Sequence, residues 1–223
     1  SDGADMPYAY VFDAEPADNY DNIYQYDGDA GNSRMTLPTT LQVANCFKVQ
    51  KKDNGGEYLK SVGVGVAQSN VSGQIEIYKN LTNPEKDPMS GEKVLTQSFS
   101  LDYAGYHTIR LDGEILLENE SVYSVVFRFD GDSIDVFLSK DQVHTNFVRV
   151  VTKENADVSF YGTKGNWNDV ADTNGAVFRI KAYTDNVSAN GIPGGEEDNP
   201  GGGNTEQPGG TESGGTEEPG GSK

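Results

Sequence analysis

Between Val94 and Phe129 apolar and polar side chains exchange places at nearly every position. Phe99 and Leu101 alternate with Ser98, Ser100 and Asp102, while Tyr123, Val125, Phe127 and Phe129 share one phase. A period of two puts successive side chains on opposite faces, so each run predicts a half-buried strand. Between them Tyr106, Thr108 and Arg110 alternate with His107, Ile109 and Leu111. Asp102-Tyr-Ala-Gly105 and Asp112-Gly113 carry turn chemistry. The stretch therefore predicts three strands joined by two short turns, with the centre of the core inside it.

The same pattern recurs on both sides. Leu41, Val43, Asn45, Phe47 and Val49 fall on one face, with Asn45 the single polar member of the row. Val62, Val64 and Val66 alternate with Ser61, Gly63 and Gly65; two glycines on one strand face predict a close backbone approach or a sheet bend. Further strands are predicted at Ile75–Tyr78, Ser133–Leu138, Ala156–Tyr161 and Ala176–Tyr183. The segment holding Tyr20, Ile23, Tyr24 and Tyr26 is expected to lie extended across a neighbouring surface, and Asp29 to Pro38 reads as loop. Asn80 to Lys93 is a long polar loop with two prolines, and loops of this kind often carry function. Gly162 to Asn174 reads as a loop bearing Trp167, the one tryptophan. No helical period exceeds two turns. Nine or ten short strands at ~8–12-residue spacing predict an all-β fold, an antiparallel two-sheet β-sandwich of jelly-roll type.

Composition changes the picture chiefly at the ends. Residues 1–19 form an extended opening segment and residues 20–186 the sandwich. From Val187 the chain repeats Pro-Gly-Gly four times among Glu, Thr, Asn and Ser. Such a segment buries too little to offset the entropy of ordering, so 187–223 is expected to be a disordered acidic linker. The chain opens on Ser1 with no signal-peptide pattern and closes in linker, as expected of a segment of a longer protein. The formal net charge of −18 disfavours nucleic acid as a partner. No run approaches the ~18–20 apolar residues of a membrane span, so no membrane insertion is expected. One cysteine excludes an internal disulfide.

Three chemistries are to be weighed. Cys46 with His107 or His144 offers a thiol and a base, but Cys46 stands within a strand with no helix N-terminus to activate it. No catalytic residue is assigned. Asp18, Asp21, Asp27 and Asp29, with the Asn45 amide oxygen, offer oxygen ligands for a structural calcium ion; the metal candidates are Asp21, Asp27, Asp29 and Asn45. Sugars stack on aromatic rings beside hydrogen-bonding groups, which makes Trp167, Asn166, Asn168, Tyr103 and Tyr161 the carbohydrate candidates. The competing expectation for Trp167 is a cap on one end of the core.

Asn22-Ile-Tyr-Gln-Tyr-Asp-Gly28, Ala44-Asn-Cys-Phe47, Leu59-Lys-Ser-Val-Gly-Val64, Ile75-Glu-Ile-Tyr78, Tyr103-Ala-Gly-Tyr-His-Thr108 and Ala176 to Thr184 occur in an order with a family counterpart. Together they resemble the lectin-like domain that follows the papain-like (C1 family) cysteine protease domain in cell-surface proteins of clostridia and other Gram-positive bacteria. Tyr8 to Pro16 looks like the last strand of such a protease. The resemblance implies a β-sandwich, a surface location, an upstream protease domain in the same chain and, in some members, bound calcium. Catalytic residues would all lie upstream. The expected role is a non-catalytic accessory module that positions the protease or its substrate at the cell surface by glycan binding. The alternative is a structural spacer or folding partner with no sugar site.

Overall fold

A computed structural model describes residues 18–27, 33–50, 55–140, 142–144, 148–150 and 156–187, with Phe12, Ala14 and Pro16. Most of the opening segment, Asp29, and the Gly/Pro/Glu-rich stretch beyond Val187 lie outside the described residues. The first strands are β1 (Asn22–Tyr24), β2 (Ser33–Pro38), β3 (Gln42–Lys48), β4 (Gly56–Val66) and β5 (Val71–Lys79). Next come β6 (Glu92–Leu101), β7 (Gly105–Glu118), β8 (Val122–Phe129) and β9 (Ser133–Lys140). A small hairpin, β10 (Gln142–His144) and β11 (Val148–Val150), precedes β12 (Ser159–Thr163) and β13 (Asn166–Asp169). One turn of helix, α1 (Val170–Asn174), leads into β14 (Ala176–Phe178) and β15 (Ile180–Asn186).

The chain forms two antiparallel sheets. One has six strands in the order β13-β12-β3-β8-β5-β6. The other has seven, along β1-β15-β4-β9-β14, with β7 beside β4 and β2 beside β9. Their inner faces make the core. Val43, Phe47, Ile75, Ile77, Tyr123, Val125 and Phe127 come from one sheet, and Leu59, Val62, Val64, Val136, Phe178 and Ile180 from the other. Phe99 meets Phe127 and Phe129 edge-on at 5.6 and 5.9 Å, a favoured ring geometry.

Asn45, the polar interruption in β3, is completely buried and faces the opposite sheet. Its Nδ2 donates to the carbonyls of Phe178 at 3.1 Å and Ile180 at 3.2 Å. Ser159 Oγ accepts from the Phe178 amide at 2.9 Å. These side chains satisfy backbone groups where the chain passes from β14, paired with β9, into β15, paired with β4. Buried backbone groups require partners of this kind.

Four expectations change. The core is not centred on Val94 to Phe129: of that stretch only β8 is interior, while β6 and β7 lie at sheet edges and leave many side chains exposed. Asp112-Gly113 is not a turn, since β7 runs through it. Leu59 faces Ile115 and Ser61 faces Arg110, so four residues of β7 bulge past Lys60. The strand-forming runs on both sides absorb the turn signal as a bulge. Gln97 of β6 holds it, donating to Arg110 O at 2.9 Å and accepting from Asp112 N at 2.8 Å.

Asp29 to Pro38 is not all loop, because β2 pairs with β9 through Ser33 to Pro38. Met35 and Leu37 turn to the core, and the strand ends on Pro38 at an edge position, where proline is tolerated. The Gly162 to Asn174 loop contains β13 and α1. Asp169 Oδ1 caps α1 by accepting from Ala171 N at 2.7 Å, and Gly175 ends it in the left-handed region at φ 58°. By contrast, the extended placement of Tyr20 to Tyr26 holds. Tyr24 packs at 5.9 Å from Tyr123, and Tyr26 stacks on Phe47 at 5.2 Å.

Candidate functional site

Alternation sends Gln42, Ala44 and Cys46 of β3 to the outer face of the six-stranded sheet. Glu76 and Tyr78 of β5 join them, as do Ser124, Val126 and Arg128 of β8, in register opposite one another. The Asn80–Gly91 loop folds back over this face. Leu81 N donates to Val122 O at 2.9 Å, and Ser124 Oγ donates to Pro88 O. Within the loop, Thr82 Oγ1 donates to Ser90 O and Asn83 N to Ser90 Oγ, both at 2.9 Å. Gly91 closes it because no side chain fits: a Cβ there would stand 2.2 Å from Lys79 O. Met89 is thereby pressed onto Ala44, Tyr78 and Val126 in a second hydrophobic cluster, with Leu81 and Trp167 packed around it.

Between this loop and the β12–β13 turn lies a concave site of about 380 Å³. Gln42, Glu76, Tyr78 and Arg128 line it from the sheet, Met89 and Gly91 from the loop, Lys93 from β6 and Lys164 from the turn. The Glu76 carboxylate is almost sealed from solvent, with a side-chain exposure of 4%. Its Oε2 accepts from Tyr78 OH at 2.8 Å, while Oε1 stands 3.4 Å from Lys93 Nζ and 3.6 Å from Arg128 Nη1. Burial, then the hydrogen bond to Glu76, raises the Tyr78 hydroxyl above the ordinary tyrosine range. Gln42 Oε1 is buried with no hydrogen-bond partner among the described residues, and so is Trp167 Nε1.

The carbohydrate candidates do not form one group. Trp167 is opposite Gly162, which is opposite Gln42, so it shares the outer face with the cleft and packs against the Met89 cluster without lining the cleft itself. Tyr161, opposite Val43, faces the core instead. Asn166 and Asn168 fall in the other phase of β13 from Trp167. Tyr103 is 74% exposed in the turn after β6, at the far edge of the sheet from β13. Five strand spacings separate those edges, roughly 24 Å. Tyr103 and Trp167 cannot share one sugar.

The metal candidates do not converge either. Asp27 Oδ2 pairs with Lys181 Nζ at 3.2 Å, and Asp21 Oδ2 accepts from Asn186 N at 2.8 Å. Lys181 faces outward from β15, whereas Asn45 reaches the carbonyl of its neighbour Ile180 from inside the sandwich. Asp29 is outside the described residues, and Asp18 is exposed. Among the described residues no three His, Cys, Asp or Glu side chains gather as a metal site. The described members do not fit a shared calcium ion.

Cys46 is buried, and burial, then the field of Asp87, pushes its thiol well above its usual range. The nucleophilic thiolate is therefore suppressed. His107 lies in the other sheet, its Nε2 2.8 Å from Tyr103 O. The His144 side chain is outside the described residues.

A sandwich of this topology has counterparts. Residues 23–184 match the family described as Lectin like domain. The chain belongs to that family. Two solved structures share its fold. One contains the cysteine protease and lectin-like domains of Cwp84, a surface layer associated protein of Clostridium difficile, at 17% identity and a TM-score of 0.57. It aligns over 78% of this chain and 37% of that one. The other is a variant of the clostridial cysteine protease Cwp84 after propeptide cleavage, at 20% identity and a TM-score of 0.59. It aligns over 78% of this chain and 42% of that one. This chain thus spans less than half of the Cwp84 chain in either structure. No curated protein matches it.

The cleft escaped the sequence reading. Of its charged residues, three are single outward positions on strands, with Glu76 between two isoleucines and Arg128 between two phenylalanines, and Lys164 is a turn residue. The one available signal was the long Asn80 to Lys93 loop.

Proposed function

We propose that this chain is a non-catalytic accessory module of a surface cysteine protease and that its cleft binds glycan, holding the protease or its substrate at the cell surface. The observation that carries the reading is the cleft itself. Its size falls in the range of small-ligand sites, roughly 300–1,000 Å³, and its lining is rich in hydrogen-bonding groups. Gln42 brings an amide to that lining. Tyr78, Met89 and the adjoining Trp167 supply apolar surface. The floor is a hydrogen-bonded sheet, so little ordering entropy is spent on binding. A glycan array probed with the purified chain is expected to show binding that Arg128→Ala and Trp167→Ala reduce. An array with no positive glycan would sink the reading.

A second reading is favoured by the outer face of the seven-stranded sheet. There Tyr106 and Ile23 are 40% and 55% exposed. Such a surface suits a spacer or folding partner packed on a neighbouring protease domain. Loss of protease folding when the module is deleted, with no glycan binding, would favour it.

A further inference from the structure

We infer that the group bound in this cleft is anionic: a saccharide or polyol unit carrying a carboxylate or a phosphate. This rests on the glycan reading of the same site and adds its charge. Three separate elements bring a cation to one concavity, Lys93 from β6, Arg128 from β8 and Lys164 from the β12–β13 turn. Glu76 is the one carboxylate that lines it. In a chain of formal net charge −18 a cleft with surplus positive charge runs against the composition. Neutralising Glu76 would need a single cation, so it does not account for three.

The distances point the same way. Lys93 and Arg128 stand 3.4 and 3.6 Å from Glu76 Oε1, longer than a well-formed charged hydrogen bond at roughly 2.7–2.9 Å. Each is about half exposed, at 46% and 51%. Glu76 Oε2 already takes the Tyr78 hydroxyl. Lys164 is exposed and makes no ion pair among the described residues. N–H donors on all three cations therefore remain for an incoming anion. Arg128 presents a planar fork that matches a carboxylate or phosphate edge. Glu76, held by Tyr78, competes with an incoming anion for Lys93 and Arg128. A neutral sugar would use these cations only as hydrogen-bond donors and leave their charge uncompensated.

The test is calorimetric titration of the whole chain with three oligosaccharide sets of matched length: neutral hexose, hexuronate and hexose phosphate. Inorganic phosphate serves as a fourth probe. At least one charged set is expected to bind about tenfold more tightly than the neutral one, a difference that shrinks between about 20 and 200 mM salt. Whichever charged set binds more tightly identifies the carboxylate or the phosphate as the recognised group. Lys93→Ala and Arg128→Ala are expected to weaken it by about fivefold each, whereas Glu76→Gln, which removes the competing internal anion, strengthens it. Lys93 and Arg128 are half exposed, so these variants leave the core intact; a thermal melt confirms it. Equal binding of neutral and charged sets, or weaker binding by a folded Glu76→Gln, overturns the inference and leaves the glycan reading standing. Binding of inorganic phosphate with no saccharide bound shows an adventitious ion only and overturns both. No binding by any probe overturns both.

Discussion

On the outer face of the seven-stranded sheet, Gly63 and Gly65 leave two bare patches of backbone, and aromatic rings fill both. The Tyr106 ring covers Gly63, and Phe137 lies over Gly65. Tyr106 is bracketed by Lys181 at 4.9 Å and the Tyr183 hydroxyl at 3.2 Å, and Tyr20 packs on Tyr183. The six-stranded sheet also carries a covering, but its loop and Trp167 stop short of Lys93 and Arg128 and leave a hollow. Each sheet also buries one glutamate. Glu57, in β4, is met by hydroxyls: both of its oxygens accept from Tyr24 OH, and Oε2 also from Thr184 Oγ1 at 2.6 Å. Glu76 is met by half-exposed cations. Hydroxyl partners with no path to water lock a strand in place, whereas cations at a rim remain able to exchange partners. One side of the sandwich is built to be filled and the other to be occupied.

The sharpest way to break this contrast is to remove each carboxylate. Glu57→Ala strands the hydroxyls of Tyr24 and Thr184 in the interior and is expected to cost about 3 kcal/mol. Glu76→Gln keeps an acceptor for Tyr78 and loses only partly solvated ion pairs, so it should cost less than about 1 kcal/mol. Urea denaturation midpoints measure both, and equal losses would dissolve the distinction.

Alkaline titration comes next. Burial raises the hydroxyls of Tyr24, Tyr26 and Tyr123, which pack against the core between the sheets, and that of Tyr78 on the outer face of the six-stranded sheet. Folded-state values above the unfolded one stabilise the fold at lower pH. That contribution is lost as pH climbs beyond the unfolded tyrosine range near ~10. Melting temperature should therefore fall steeply above that pH. Tyr123→Phe should flatten the fall without cost at neutral pH, because the Tyr123 hydroxyl has no partner among the described residues.

Two smaller effects sharpen the comparison. Gly91→Ala forces the loop off Lys79 O and should destabilise by about 1 kcal/mol, the low end for overpacking. It should weaken binding of the charged oligosaccharide more than it lowers stability. Tyr106→Ala uncovers Gly63 and should cost about 1 kcal/mol in ring contacts. Its binding isotherm should match that of the unaltered chain.

Alternation made most of the sandwich legible. Val43 to Val49, Val62 to Val66, Tyr123 to Phe129 and Phe178 to Ala182 all bury the predicted phase. Asn45 announced itself as a polar group with an internal duty, though that duty is to hold backbone carbonyls. The two glycines of β4 were legible as a close approach, but side-chain rings, not another backbone, cover them. Strand order was hidden, because period two says which face a residue takes and nothing about which strand lies beside it. Tyr103 and Trp167 therefore looked alike from the sequence and lie at opposite edges. The cleft was hidden for the same reason: Gln42, Glu76, Lys93, Arg128 and Lys164 meet only through the order β12-β3-β8-β5-β6, and each alone resembles a solvated strand or turn position.

The pairing of β1 with β15 has a mechanical consequence. Asn22 stands opposite Thr184 and Tyr24 opposite Ala182, so both ends of the sandwich depart past the same corner. A pull between residues 18 and 187 would strain the rungs of this ladder in succession, as in a zip, and not all together. The clasp formed by Asn22 with Thr184 and Asn186, and by Asp21 with the Asn186 amide, bears the load first. Tension would peel that corner at forces far below those needed to shear the interior.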